Sequence, residues 1–251
     1  MAHIRLYVTQ ELYNNQVLVL SAAQGHYLIR VMRLSPGDTL SLFNGKNGEW
    51  QGSVEQANAK DCRVHIGQQL RPQVNEPDIW LCFAPIKHDP IHYLVQKTTE
   101  LGVAVLQPVQ TQRTVVHRIN LTRLQENCTE AAEQSCRLTV PKVQELVTLD
   151  QLLQHWDKDR LLLYCNEMGQ GTPLFQALRA LPANQPVALL VGPEGGFTPT
   201  EFKKLSSLPY VVPITLGSRI LRADTAGIAA LACYMSIAGD WNTPLTGSNS
   251  L

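Results

Sequence analysis

Hydrophobic and polar positions change rhythm about a third of the way along the chain. Over residues 1 to 72 the apolar runs are short and alternate with polar positions: "RLYVT", "QVLVL", "TLSLF", "WQGSV" and "CRVHI". A period of two predicts β-strands. "SPGD" reads as a turn, and "NGKNGE" as the turn of a hairpin. One segment breaks the pattern. "SAAQGHYLIRVMRL" (21 to 34) predicts a helix among the strands. Together these elements predict a small barrel-like domain over 1–72. The polar "RPQVNEPD", with two prolines, reads as a linker.

From residue 73 to about 245 longer apolar runs alternate with helical periods. "IWLCFAPI", "VAVLQPV", "RLLLYC", "VALLV" and "VVPITL" read as buried strands. "PIHYLVQKTTELG" puts Ile91, Leu94, Val95, Thr98 and Leu101 on one helical face, and Gly102 ends it. "LTRLQENCTEAAEQSCRL" aligns Leu121, Leu124, Cys128, Ala131 or Ala132, and Ser135. "DTAGIAALACYMSIAG" is a last, small-residue helix closed by Gly239. Strands alternating with helices predict an α/β domain with a largely parallel sheet.

Composition narrows the function. Among 251 residues, 44% are hydrophobic, enough for a sizeable core. Lys plus Arg and Asp plus Glu are both 21, so the net charge is zero and a nucleic-acid partner needs a local basic patch. The start "MAHIRLYVTQ" lacks the apolar core of a signal peptide, and no apolar run reaches the length of a membrane span. The six cysteines show no C-x-x-C pairing, which suits reduced thiols in a cytoplasmic protein and no zinc site. His88 and His92 flank Pro90 without a third ligand, so no metal is expected.

Two strand-to-helix junctions carry the chemistry. In "VGPEGGFTPTEF" an apolar run meets a glycine loop, and a helix follows with Thr198 as N-cap, Pro199 in the first position and Glu201 closing a capping box. The loop is neither G-x-G-x-x-G nor a P-loop, because no Gly-Lys-Ser/Thr follows. "PITLGSRILRADTAGIAAL" repeats the plan. Arg219 and Arg222 stand at a strand's carboxyl end, and Asp224 and Thr225 lie near the helix start, where they can cap amides. Ligands of α/β proteins bind at such strand ends.

With "VQKTTELGVAVLQPVQTQRT", "EAAEQSCRLTVPKV", "IRLYV" and "GHYLIRVMRLSPGD" added, the chain resembles the SPOUT methyltransferases that act on N3 of a uridine in small-subunit (16S) ribosomal RNA. The resemblance spans nearly the whole chain in order. One position departs from it: the family's Arg-x-Glu-Thr-Ala is Arg222-Ala223-Asp224-Thr225-Ala226 here.

The resemblance implies a trefoil-knotted α/β methyltransferase domain at 73–245, a PUA-like RNA-binding β-barrel at 1–72, S-adenosylmethionine as cofactor, ribosomal RNA as partner and a homodimer. It assigns the cofactor to Gly192, Pro193, Glu194, Gly195 and Gly196, then to Leu216, Gly217, Ile220, Leu221 and Arg222 with Thr225 nearby, and to the strand end from Leu163 to Asn166. Arg222 is the catalytic candidate, since charge spreading onto the uracil oxygens needs a cation. Asp224, Glu194, Glu100 and water stay open as the base. RNA contacts fall to Arg5, His26, Arg30 and Arg33, and to Arg113, His117, Arg118, Arg123 and Arg137. Lys97, Glu100, Glu133, Gln134 and Arg137 also match the family, equally as a polar network between helices. A non-catalytic RNA-binding protein on the same fold, or an enzyme acting on another RNA position, is the competing reading.

Overall fold

The computed structural model describes residues 4–58, 61–87, 89–182 and 184–241. The chain forms two compact units. The first takes residues up to Asn75 and, from much later, Ala132–Val140; the second takes Glu76–Ala131 and the chain from Pro141 onward.

In the first unit the strands are β1 (Arg5–Tyr7), β2 (Val17–Val19), β3 (Thr39–Phe43), β4 (Glu49–Asn58) and β5 (Asp61–Arg71). They form one sheet in the order β1-β3-β4-β5-β2, antiparallel except for the β1–β3 pair. Alternation does what it predicts: Leu40, Leu42, Val64 and Ile66 are fully buried on the core face, with Leu6, Val8 and Leu28. The β3–β4 turn is set by Asn44, whose side-chain oxygen accepts from the amides of Lys46 and Asn47. The helix expected over 21–34 is shorter. It is an α-helix, α1 (Ala22–His26), capped by a Ser21/Gln24 capping box, and it passes into a π-helical turn at Tyr27–Val31.

The inclusion of Ala132–Val140 in this unit is not visible in local sequence, which left the segment with the second part. Arg5 explains it. Its guanidinium donates to the carbonyls of Ala132, Glu133 and Arg137 at 2.8–2.9 Å, pairs with Glu49 at 2.6 Å and lies 4.4 Å from the Phe43 ring centre. Phe43, Ala132 and Leu138 close a small apolar cluster beside it.

The second unit is built on parallel strands. They are β6 (Ile79–Phe83), β7 (Val105–Gln110), β8 (Lys142–Val143), β9 (Val147–Thr148), β10 (Leu161–Cys165), β11 (Thr172–Pro173), β12 (Val187–Val191) and β13 (Val211–Thr215). The order is β11-β13-β10-β12-β6-β7-β8, with β9 also pairing β7. All five residues of β12 are buried, as a central strand covered on both faces requires. Helices α2 (Asp89–Glu100), α3 (Leu121–Gln134), α4 (Leu149–Gln154), α5 (Leu174–Arg179), α6 (Pro199–Ser206) and α7 (Ala223–Ile237) complete the fold.

On one face Ala188 and Leu190 of β12 join Leu149, Trp156, Leu162, Leu205 and Phe197. Each fully buried leucine here contributes roughly 1.5–3 kcal/mol. On the other face α7 lies against α2 and β6. Gly227 brings it close: a Cβ there would sit 3.1 Å from Leu94 and 3.5 Å from Leu81. The small residues of α7 thus pack within the chain. All six cysteines are free thiols. Among the described residues no helix is long and apolar enough to cross a membrane.

Candidate active site

Because β10, β12 and β13 are adjacent and parallel, the loops that leave their carboxyl ends converge. They enclose a cleft of about 960 Å³, walled by Cys165–Gly169, by Val191–Phe197 and by Ile214–Ala223, with Arg113 and Ala226 completing it. That volume suits a nucleoside-sized ligand.

The β12 loop is braced by its own chain. The Gly196 amide donates to the Pro193 carbonyl at 2.8 Å, closing a turn with Gly196 at φ +68°. The Phe197 amide donates to Glu167 Oε1 at 2.8 Å. The Phe197 ring fills the space a Gly192 side chain would need, 2.9 Å from that Cβ, and meets Tyr164 and Phe202 edge-on or nearly so. Arg113 Nη1 donates to the Gly195 carbonyl at 2.8 Å and the Phe197 carbonyl at 3.4 Å. Helix α6 starts as its sequence predicts, with Thr198 and Glu201 in a reciprocal capping box and Pro199 at its first position. The second oxygen of the buried Glu201 accepts the Gln112 amide at 2.8 Å.

The β13 loop is open. Gly217 has φ +107°, and among the described residues nothing stands within 4 Å of where its Cβ would be. Ile220 is 87% exposed, and Ser218 and Arg219 are exposed too. Arg222 is exposed at the N-cap of α7, with no side-chain cap bond. Among the described residues Asp224 bonds only locally, accepting from the Thr225 amide at 2.7 Å.

Most positions expected to hold a cofactor line this one cleft: Cys165, Asn166, Gly192 to Gly196, Leu216, Gly217, Ile220, Leu221 and Arg222. Leu163 does not. It is 1% exposed inside β10, between Leu189 and Val212, and the wall begins two residues later. Thr225 is exposed on the first turn of α7 and is not part of the lining. Cys165 and Asn166 come from the expected strand end, and Glu167 and Met168 are lining residues that sequence did not single out. Burial pushes the Cys165 thiol up to about 12, and the Glu167 charge adds to the rise. Glu194 lines the cleft, whereas Glu100 lies on α2, paired with Lys97 at 2.8 Å.

The expected RNA contacts divide. Arg5 and Arg137 are 6% and 8% exposed, and the buried Arg5 spends its guanidinium on Glu49 and three carbonyls, so neither is free for a phosphate. Glu133 accepts the Tyr7 amide at 2.9 Å, so the network reading holds for that part of "EAAEQSCR". His26, Arg30 and Arg33 are exposed on the first unit. Arg113 belongs to the cleft. His117 is hydrogen-bonded to Gln110, Arg118 is exposed, and Arg123 is paired with Glu126 and Glu130. His88 lies outside the described residues, and His92 is bonded to Asn127. Among the described residues no group of three metal-ligating side chains occurs.

Residues 74–235 match the model of the RNA methyltransferase domain, and residues 20–67 that of the RNA methyltransferase PUA domain. The chain belongs to this RNA methyltransferase family. It is 33% identical over 233 residues to ribosomal RNA small subunit methyltransferase E of Rickettsia conorii, covering 92% of this chain and 95% of that one. The protein of the same name from Synechocystis is 35% identical over 240 residues, covering 91% and 76%. Among solved structures, the small subunit methyltransferase E of Neisseria gonorrhoeae bound to S-adenosyl methionine superposes with a TM-score of 0.84 at 28% identity, covering 95% of this chain and 99% of that one. A putative methyltransferase of Legionella pneumophila, also with S-adenosyl methionine, gives 0.84 at 31%, covering 96% and 100%. The RNA methyltransferase and PUA parts are therefore a SPOUT α/β domain and a mainly antiparallel N-terminal domain.

Proposed function

We propose that the protein transfers a methyl group from S-adenosylmethionine to N3 of a uridine in small-subunit ribosomal RNA. The convergence of the three strand-end loops on one cleft carries this reading. The cleft fits the cofactor. Leu216, Leu221 and Ile220 offer apolar contact, loop backbone offers amides and carbonyls, and Gly217 leaves room beside the chain. The sulfonium supplies an electrophilic methyl group when bound. The family likeness and the two related structures that carry S-adenosyl methionine support it.

The protein's share of the chemistry is placement and charge. Uridine N3 must lose its proton before it attacks, and negative charge then spreads to O2 and O4. Arg222, at the rim where the β13 loop enters α7, is the cation set to face that charge. Of the carboxylates, Glu194 and Glu167 line the cleft, and Glu194 is the base we favour. Glu167 is held by the Phe197 amide, Asp224 by the Thr225 amide, and Glu100 by Lys97. RNA is positioned by His26, Arg30 and Arg33 on the first unit and by Arg118 and Arg123 on the second. We also assign the protein a cytoplasmic, homodimeric state and the knotted loop path of its superfamily.

The test is transfer from labelled S-adenosylmethionine to undermethylated small ribosomal subunits and, separately, to naked RNA, with the product identified by nucleoside mass spectrometry. Labelled 3-methyluridine is expected, and the better substrate shows whether assembled RNA is recognised. Cofactor binding with label on another atom overturns the N3 assignment. Failure to bind the cofactor overturns the enzymatic reading.

A further inference from the structure

A second pocket of about 510 Å³ lies in the same unit, at the carboxyl ends of the neighbouring strands β6 and β7. Its apolar walls come from Ile86, Ile91, Val116, Ile119 and Leu124. Lys87 and Arg118 are exposed at it, and among the described residues neither has an acidic partner. His92 adds a polar edge. Its Nδ1 is 2.8 Å from the Asn127 side-chain amide.

The loop after β7 ties this pocket to the main cleft. Arg113 lines the cleft and grips Gly195, and Val116, three residues on, lines the second pocket. Three residues span at most about 11 Å, so the pockets stand within reach of adjacent nucleotides of one strand. In a chain of zero net charge, two unpartnered cations beside an apolar floor fit a base with its phosphate.

We propose that this pocket is a nucleotide subsite for the substrate RNA. It takes a nucleotide flanking the one to be methylated, with its base against Ile86, Ile91 and Ile119 and its phosphate on Lys87 and Arg118. The inference rests on the methyltransferase reading, and the two separate experimentally. RNA affinity is measured by fluorescence anisotropy over a range of salt, and cofactor affinity by calorimetry, for the whole protein and for Arg118→Ala, Lys87→Ala and Arg118→Lys.

Both alanine variants are expected to weaken RNA binding about threefold to tenfold and to lower the salt slope by roughly 0.7–0.9 each. Cofactor affinity should not move, and Arg118→Lys should restore the slope. Val116→Trp, which fills the pocket, should raise KM for RNA and leave kcat in place. Unchanged RNA affinity and slope in both alanine variants would overturn the subsite while leaving the methyltransferase reading intact. Loss of cofactor binding by the unaltered protein would instead sink that reading, and the RNA titration still decides the subsite. Equal weakening of cofactor and RNA binding in the variants would also count against it, since that marks a structural role.

Discussion

The two glycine loops that wall the cleft are made in opposite ways. The loop after β12 is clasped by its own chain: Phe197 occupies the flank of Gly192, Glu167 holds the Phe197 amide, and Arg113 holds Gly195. The loop after β13 has an open flank at Gly217 and a bare Ile220. The first is braced by its own chain, with Gly192 and Gly196 leaving the space that Phe197 and Glu167 occupy. The second has unfilled contacts and is the part a ligand can complete. The arginines repeat the contrast, with Arg5 sealed between Glu49 and three carbonyls and Arg222 exposed.

That contrast can be broken from its strongest point downward. Glu49→Gln removes the charge facing the buried Arg5 and should cost about 3–5 kcal/mol, read by urea unfolding. Burial raises the Glu49 carboxyl, but hydrogen bonds and charge from Arg5 and Arg71 outweigh it and hold it below its usual value of 4.5. Its contribution is therefore present above that value and is lost as pH falls through the lowered one. The variant should lack that part of the acid transition; an identical acid limb would contradict the assignment.

Next, Arg222→Ala should lower single-turnover methyl transfer by about 10²–10³ at saturating cofactor, well beyond any loss of cofactor affinity. A matching loss of affinity would make Arg222 a binding residue instead. Gly196→Ala forces a side chain to φ +68° and 2.2 Å from Glu167 Oε1, so about 1–3 kcal/mol of cofactor affinity should go, by calorimetry. Gly217→Ala meets backbone strain but no neighbour, and should cost about 1 kcal/mol. If Gly217→Ala proved the worse of the two, the distinction between a braced and an open loop would fail.

What could be read from sequence was what short-range forces decide. The Thr198–Pro199–Glu201 helix start, the buried β12 and the apolar face of α2 are set by neighbours within four residues. The convergence of the glycine loops was legible too, because parallel α/β strands bring their ends together. The fate of Arg5 was not. Its partners lie 44 to 132 residues away, and a lone arginine beside an apolar strand looks the same whether it faces solvent or Glu49. The packing of Ala132–Val140 with the first unit was illegible for the same reason. The two-residue strands β8, β9 and β11 are too short to show any period.

Cys165 gives the cleft a chemical immunity. If the cleft holds an alkylating agent, as proposed, it should not carry a nucleophile of its own. This thiol sits in the wall, but desolvation, reinforced by the Glu167 charge, pushes its pKa up to about 12. Sulfur attacks carbon electrophiles as thiolate, so at neutral pH an activated methyl group in the cleft meets an inert neighbour.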